Sequence, residues 1–281
     1  REELKLKINL LRENKKNVPG LVTIIVGENP ASQVYVNMKI KACAEIGMNS
    51  KLEKLGENIS QDELLKIIDD YNKDDYFHGI LVQLPLPKHI DEDKIIEAIN
   101  PSKDVDGFHP ISVGKLIIGK DTFKSCTPFG IMELLKRYKI ETKGKHVVVV
   151  GRSNIVGKPI ANMLVQKEEG ANAIVTICHS AAPDISYYTK QADILIAAVG
   201  RANLITKEMV KENVVVIDVG INRIKDAESK KGYKIVGDVE FDGVSKKASW
   251  ITPVPGGVGP MTIAMLLSNT YKAYSLIENL N

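Results

Sequence analysis

The sequence predicts an α/β protein with parallel sheets, divided into two domains. Short strand-like segments alternate with helix-like segments through most of the chain. This alternation is typical of parallel sheets with helices on both faces. The length of 281 residues fits one large or two ordinary domains. Hydrophobic residues make up 44% of the chain, enough for folded cores.

Strand and helix patterns follow one another in the first part of the chain. LVTIIVG (21–27) has the pattern of a buried strand, and residues 31–48 and 60–72 have helical periodicity. HGILVQLPLP (78–87) predicts a strand that its prolines end. We assign this part to a first domain.

A nucleotide-type domain is expected in the second half. We place it at 124–251, and the first domain at 1–123, completed by the C-terminal segment 252–281. Helices are predicted at 131–138 and 261–278, and the 201–213 segment can hold a short one. The predicted strands are residues 146–151, 173–179, 193–200 and 214–220.

Charge and cysteine content exclude several classes of protein. A net charge of +3 is too small to predict nucleic-acid or membrane partners, although it suits an anionic small ligand. No apolar run approaches the ~20 residues of a membrane span. Cys43, Cys126 and Cys178 form no CxxC pair, so we expect no zinc site, no disulfide framework and a reducing compartment.

The stretch HVVVVGRSNIVGKP indicates a strand, a glycine loop and a helix. Gly151 ends the strand, Gly157 lies six residues on, and Pro159 suits a first helical turn. The N-terminus of such a helix attracts phosphate. The dinucleotide fingerprint G-x-G-x-x-G is only partly met, so a plain βα turn and a cofactor site both remain open.

The next strand favours NADP over NAD. NAD sites commonly carry an acidic residue there to bind the ribose 2′-hydroxyl. AIVTICHS ends instead in His179 and Ser180, and Arg152 stands in the glycine loop. A cation and a hydroxyl in place of an acid favour a 2′-phosphate. The alternative is a solvated Arg152 and a strand-capping His179.

Tyr35 and Lys39 are spaced to share one face of the helix at 31–48. Lys41 points elsewhere, about 240° round from Tyr35 at ~100° per residue. A surface lysine over a tyrosine ring is one interpretation, and an active lysine in a substrate domain is another. The YxxxK pair of short-chain dehydrogenases is rejected, because that pair follows the glycine loop and this one precedes it.

Three further stretches favour an active lysine. Gln83 lies between apolar neighbours near a strand end, where a buried amide needs a partner. Asp104 and Asp106 precede Gly107 in a turn-like loop. The Pro/Gly-rich segment 252–262 can bring backbone groups close to a flat ligand. Together these stretches predict a site.

Eight stretches of the chain are motifs of one known family: VGENPASQVYVNMKIKACAEIG, GILVQLPLP, PSKDVDGFHP, SCTPFGI, GRSNIVGKP, CHS, DVGIN and TPVPGGVGPMT. In these stretches the sequence resembles the bifunctional methylenetetrahydrofolate dehydrogenase/methenyltetrahydrofolate cyclohydrolase family. The motifs occur in the family's order from about residue 24 to 262. Ser125 departs from the family's frequent Pro, and AAPDISYYTK departs from its usual KT-containing segment.

The resemblance implies a fold and a reaction. The family has two α/β domains around a cleft, the larger C-terminal one a Rossmann-like NADP-binding sheet. It oxidises 5,10-methylenetetrahydrofolate with NADP and hydrolyses the methenyl product to 10-formyltetrahydrofolate. The resemblance further implies a cytoplasmic homodimer without a metal, active in one-carbon metabolism and purine biosynthesis.

The resemblance also implies roles for individual residues. Lys39 matches the family's active lysine, Gln83 the residue that orients it, and Tyr35 the ring stacked on the folate. Asp106 matches the carboxylate that binds the pterin, although Asp104 remains an alternative. The folate loop corresponds to Pro255, Gly256, Gly257 and Val258, and the NADP contacts correspond to Gly151, Arg152, Ser153, Ser180 and Ile221.

Other functions remain open from the sequence. A dehydrogenase with little cyclohydrolase activity is disfavoured by the presence of both Lys39 and Gln83. An NAD-dependent enzyme of the same fold is disfavoured because no acidic residue follows the predicted strand at 173–179. A non-catalytic folate- or nucleotide-binding module would need no lysine at the reacting carbon.

Overall fold

The structure is a computed structural model that describes residues 1–229 and 232–279. A short 3-10 helix spans Lys207–Met209. The helices are α1 (Glu2–Glu13), α2 (Pro30–Ile46), α3 (Gln61–Lys73), α4 (Glu92–Ala98), α5 (Pro110–Ile117), α6 (Cys126–Arg137), α7 (Gly157–Leu164), α8 (Ile185–Thr189), α9 (Phe241–Val244) and α10 (Val258–Ile277). The strands are β1 (Gly20–Val26), β2 (Asn49–Leu55), β3 (Gly79–Val82), β4 (His146–Val150), β5 (Ile174–Cys178), β6 (Ile194–Ala197), β7 (Val215–Asp218), β8 (Asn222–Lys225), β9 (Tyr233–Val236) and β10 (Trp250–Ile251).

The chain divides into two compact units, which confirms the predicted two-domain α/β class, but the C-terminal unit is not the larger one as expected. The first unit is Arg1–Cys126 together with the segment that begins at Ile263, and the second is Thr127–Thr262. Residues 252–262 therefore group with the second unit, unlike the expected boundary. The physical reason is that the Thr252 N–H continues the β10–β7 pairing by bonding the Val216 carbonyl at 3.1 Å.

The first unit contains a parallel three-stranded sheet in the order β2-β1-β3. Strand β1 is buried along its whole length because both faces of the sheet are covered. Leu21 packs with residues of α1, α2 and α10 on one face. Val22 and Ile24 pack with residues of α3 and α4 on the other. The chain runs from β1 to β2 and then returns past β1 to β3, so the strand order reverses between β1 and β3.

The second unit contains a parallel five-stranded sheet in the order β10-β7-β6-β4-β5. Val147 and Val149 of β4 pack with α6 and α7, whereas Val148 and Val150 face the opposite layer. The chain passes from β4 to β5 on one side and then to β6 on the other. The strand order therefore reverses between β4 and β6, where ligands bind in open sheets of this kind.

The sequence did not predict several elements at the edges. Strand β2 reads NSKLEKL, in which charged residues interrupt the apolar pattern, because each residue of this edge strand is half-buried or exposed. Helix α1 buries only Ile8 and Leu11. The β8–β9 hairpin is antiparallel and lies outside the main sheet. Weak burial leaves a weak hydrophobic pattern to detect.

Within the described part of the chain, no helix is both long and apolar enough to cross a membrane.

Candidate active site

Helix α2 turns Lys39 towards the interior of the first unit. Lys39 is only 9% exposed, whereas Lys41 is exposed. Tyr35 lies one turn earlier and is half-buried. The contrast between the two lysines follows the helical geometry expected from the sequence.

The buried end of Lys39 is bound by Gln83. Lys39 Nζ donates to Gln83 Oε1 at 2.9 Å. Gln83 Nε2 donates to the Leu84 carbonyl at 2.8 Å, which orients the amide oxygen towards the lysine. The Gln83 N–H bonds the Ile24 carbonyl at 2.8 Å, so this residue extends the β1–β3 pairing. The lysine is therefore held where the strand order of the first sheet reverses.

Asp104 is used to build the turn in which it lies. Its buried carboxylate accepts the N–H groups of Gly107 (3.1 Å), Phe108 (3.2 Å) and His109 (3.0 Å). The Ser112 hydroxyl is a further hydrogen-bond partner. Burial raises the pKa of Asp104 to about 6, although these hydrogen bonds oppose the rise.

Asp106 has different surroundings, next to Lys39. It is half-buried, and desolvation raises its pKa while the positive charge of Lys39 opposes the rise. The Cys126 thiol lies beside the Asp106 carboxylate and donates to the Val105 carbonyl at 3.3 Å. Burial, and then the Asp106 charge, raise the pKa of Cys126 well above its ordinary value. Lys39, Gln83, Asp106 and Cys126 thus form one group, here called the lysine cluster.

The lysine cluster combines a cation, a carboxylate, an amide and a thiol at one end of a parallel sheet. An ammonium has three N–H donors, and Gln83 accepts only one of them. Such a group can hold and move a proton at a small bound ligand. The sequence analysis assigned no role to Cys126, because its spacing in the sequence indicates none. Its place in the site is visible only from its burial beside Asp106.

The Pro/Gly-rich loop belongs to the second unit. Pro255 and Gly256 are exposed, and Gly256 has a φ of +109°, a conformation that favours glycine. Gly257 is half-buried, and its N–H bonds the Pro253 carbonyl at 2.9 Å. Val258 is buried and begins α10. The turn therefore exposes backbone on the surface of this unit.

The glycine loop requires its two glycines. Gly151 has a φ of +127°, and a Cβ there would lie 2.2 Å from the Ala198 carbonyl oxygen. A Cβ on Gly157 would lie 2.3 Å from the Gly151 carbonyl oxygen. Ser153 Oγ accepts the N–H groups of Val156 (3.1 Å) and Gly157 (3.3 Å) at the start of α7. The loop is therefore a close-packed βα turn that can bring backbone near a phosphate.

The other predicted cofactor residues lie at the carboxyl ends of strands in the second sheet. Arg152 follows β4, Ser180 follows β5 and Ile221 follows β7, and all three are exposed. This edge fits a dinucleotide, because it offers a glycine turn, a cation and a hydroxyl together. In residues 1–229 and 232–279, no group of three or more His, Cys, Asp or Glu side chains could hold a metal ion.

Two family models match the chain. The model described as tetrahydrofolate dehydrogenase/cyclohydrolase, catalytic domain, matches residues 1–106. The model described as tetrahydrofolate dehydrogenase/cyclohydrolase, NAD(P)-binding domain, matches residues 125–278. A protein of Chlorobium chlorochromatii named "Bifunctional protein FolD" is 61% identical over 282 residues, covering 100% of this chain and 96% of that protein.

Solved structures show the same similarity. The bifunctional FolD methylenetetrahydrofolate dehydrogenase/cyclohydrolase of Campylobacter jejuni has a TM-score of 0.92 and 55% identity, covering 98% of this chain and 94% of its own. The Trypanosoma brucei methylenetetrahydrofolate dehydrogenase-cyclohydrolase, complexed with NADP cofactor and inhibitor, also has a TM-score of 0.92. It is 41% identical and covers 98% of this chain and 93% of its own.

Proposed function

The chain belongs to the tetrahydrofolate dehydrogenase/cyclohydrolase family, and on this basis we propose that it is a bifunctional one-carbon folate enzyme. It oxidises 5,10-methylenetetrahydrofolate to the methenyl cation with NADP and then hydrolyses that cation to 10-formyltetrahydrofolate. The observation that carries the hydrolytic half is the 2.9 Å hydrogen bond between Lys39 and Gln83. A chain that only bound folate would not need this oriented lysine.

The oxidation step requires alignment of two flat rings, because the folate nitrogens stabilise the cation themselves. Tyr35 stacks against the aminobenzoate, and Asp106 binds the amino and ring N–H groups of the pterin. The turn built by Asp104 supports the choice of Asp106, because Asp104 already accepts three backbone N–H groups. The loop of Pro255, Gly256, Gly257 and Val258 contacts the folate.

The hydrolysis step requires a positioned water and a group to take its proton. Water adds to the methenyl carbon and releases one proton; its second proton passes to the ring nitrogen N5 as the bond from N5 to this carbon breaks, which gives the 10-formyl product. Lys39 hydrogen-bonds this water and moves the proton. Gln83 fixes the lysine and thus acts as its positioning residue.

The NADP contacts are proposed along the carboxyl edge of the second sheet. When bound there, NADP would supply the acceptor for the hydride that leaves the folate. Gly151 and Ser153 line the glycine turn, and the Ser153 O–H can still donate while its oxygen caps α7. Arg152 and Ser180 bind the 2′-phosphate, and Ile221 contacts the nicotinamide end.

A single assay tests this function. Enzyme, 5,10-methylenetetrahydrofolate and either NADP or NAD are mixed, and reduced cofactor and methenyl product are followed separately. We expect NADPH with little methenyl accumulation beyond uncatalysed hydrolysis. Accumulation of methenyltetrahydrofolate would reject the role of Lys39 in hydrolysis and indicate an enzyme with dehydrogenase activity only. No turnover with either cofactor would indicate a binding module.

Homodimer formation through the second unit is also part of the proposal. Strand β5 is an edge strand, and its Ile174 and Ile177 are 63% and 41% exposed. Exposed apolar residues on a sheet edge favour pairing with another copy. We place the enzyme in the cytoplasm, where its three buried free cysteines suit a reducing environment and its product supplies purine biosynthesis.

A further inference from the structure

A buried carboxylate in the second unit joins two loops at the carboxyl edge of the sheet. Asp238 is 0% exposed, and it accepts four hydrogen bonds. Three come from consecutive backbone N–H groups after β6: Val199 at 2.7 Å, Gly200 at 2.9 Å and Arg201 at 2.9 Å. The fourth comes from Asn222 Nδ2 at 2.9 Å, in the segment after β7.

A second carboxylate holds Asp238 in place. Asp218, at the end of β7, accepts the N–H groups of Asp238 (2.9 Å), Val239 (3.0 Å) and Gly220 (3.0 Å). Two glycines make room for the pair. A Cβ on Gly220 would lie 2.2 Å from Asp238 Oδ1, and one on Gly237 would lie 1.8 Å from Asp218 Oδ2. The arrangement thus depends on the two carboxylates and on the absence of side chains beside them.

The loops that Asp238 joins lie beside the proposed cofactor residues. Strand β6 pairs directly with β4, and Gly151 packs against Ala198, the residue before Val199. Ile221 stands between Gly220 and Asn222. A dinucleotide binds across the point where strand order reverses, one half on each side. The proposed 2′-phosphate residues follow β4 and β5, so the loops after β6 and β7 lie on the side of the nicotinamide half.

We propose that Asp238 is a positioning residue for NADP, holding the loops after β6 and β7 in the conformation that receives the nicotinamide half. This inference rests on the proposed NADP-dependent function. Asp238 acts through the backbone of Val199–Arg201 and through Asn222, not by touching the cofactor. Asparagine cannot replace it, because the amide nitrogen donates and cannot accept the backbone N–H groups.

The test compares Asp238→Asn with Asp193→Asn. Asp193 is the control at the amino ends of the strands of the same sheet, because its half-exposed carboxylate also accepts a backbone N–H, that of His146 at 2.8 Å, and pairs with Lys211 at 2.6 Å. In Asp238→Asn we expect the KM for NADP to rise at least about tenfold, the scale of one unsatisfied buried hydrogen-bonding group. In Asp193→Asn it should stay within about twofold.

Two further readouts separate positioning from general destabilisation. Hydrolysis of methenyltetrahydrofolate, measured without NADP, should be retained in Asp238→Asn. Inhibition by adenosine 2′,5′-bisphosphate, which carries only the 2′-phosphate end, should keep its wild-type inhibition constant. If Asp238→Asn does not fold, Asn222→Ala removes one of the four donors, and we expect a smaller rise in KM for NADP with the same two retained properties.

Three outcomes overturn the inference: an unchanged KM for NADP in folded Asp238→Asn, an unchanged KM in Asn222→Ala where that variant is needed, or equal loss of both activities and of bisphosphate inhibition. A wild-type enzyme that reduces no NADP would instead overturn the proposed function, so the two failures are distinguishable.

Discussion

At the scale of single residues, Lys39 and Lys41 differ only in the side of α2 on which they lie. Lys39 is buried against Gln83, whereas Lys41 is exposed. A buried amine without a partner would be costly, and the Gln83 amide offsets that cost. The same comparison supplies a test with a matched control.

Lys39→Met should reduce cyclohydrolase activity at least about a hundredfold, because it removes the group that moves the proton of the attacking water. Binding of NADP and folate should persist. Lys41→Met makes the same chemical change on the exposed side of the helix and should leave hydrolysis of methenyltetrahydrofolate unchanged. Full hydrolysis of methenyltetrahydrofolate in Lys39→Met would contradict the proton-transfer role assigned to this lysine.

Arg152→Ala should raise the KM for NADP much more than that for NAD, by about tenfold or more, since only NADP carries the 2′-phosphate. Initial rates with both cofactors give the two KM values. Lys158→Ala removes another exposed cation near the loop, one bound to Asn154, and should change neither value strongly. Equal effects of Arg152→Ala on NADP and NAD would reject the 2′-phosphate assignment.

Two buried aspartates provide a pH test, because burial raises the pKa values of Asp104 and Asp218 to about 6. The folded state holds these protons more tightly than the unfolded state does. Each group therefore adds a contribution to the free energy of unfolding that is fully present below about pH 4. This contribution, roughly 3 kcal/mol per group, is lost as the pH rises through about 6. Carbon-13 NMR titration of the aspartate carboxyl groups should show two midpoints near pH 6, and one of them should be missing in Asp104→Asn. Midpoints near 4 would contradict this.

At the scale of elements, α2 connects local sequence to the site it carries. Asn29 Oδ1 accepts the N–H groups of Ala31 (3.0 Å) and Ser32 (3.1 Å), so the helix begins with a capped first turn. Gly47 ends it in the left-handed conformation with a φ of 79°. These two ends determine where Lys39 stands relative to β3.

Asn29→Ala should lower the free energy of unfolding of the first unit by about 1 kcal/mol, the usual cost of losing an N-cap. Urea denaturation followed by circular dichroism measures the change. Asn37→Ala, an exposed position inside the same helix, should be neutral or slightly stabilising, because alanine is the better helix former. An equal loss in both variants would show that the cap is not the cause.

At the scale of the whole molecule, the exposed edge of β5 leads to a test of the proposed homodimer. Ile177→Lys places a charge on this edge and should shift the protein towards monomer, as measured by analytical ultracentrifugation. Ile118→Lys changes an isoleucine in the first unit that is 69% exposed, and it should leave the mass unchanged. A monomeric wild type, or an unchanged dimer in Ile177→Lys, would reject this interface.

Elements with strong hydrophobic patterns were predictable from the sequence alone. Strands β1, β4 and β7 and helix α2 lie where their patterns indicated, because buried faces impose their period on the sequence. Helical spacing placed Lys39 on the face of Tyr35 and Lys41 on another, but it left open whether the face of Lys39 is buried. Strand β2 and the β8–β9 hairpin were missed, because elements with little buried surface carry little pattern.

The tertiary structure decided whatever depends on neighbours distant in the chain. Asp104 and Asp106 have similar local sequence, and only folding shows that one builds the turn while the other faces Lys39. The importance of Asp238 likewise rests on partners at Val199–Arg201, dozens of residues away. Sequence by itself determined the α/β class and placed Lys39 and Lys41 on different faces of their helix, because periodicity is a local property, and residue type favoured NADP over NAD. Hydrogen-bond partners and burial are set by packing, so only the folded chain assigns them.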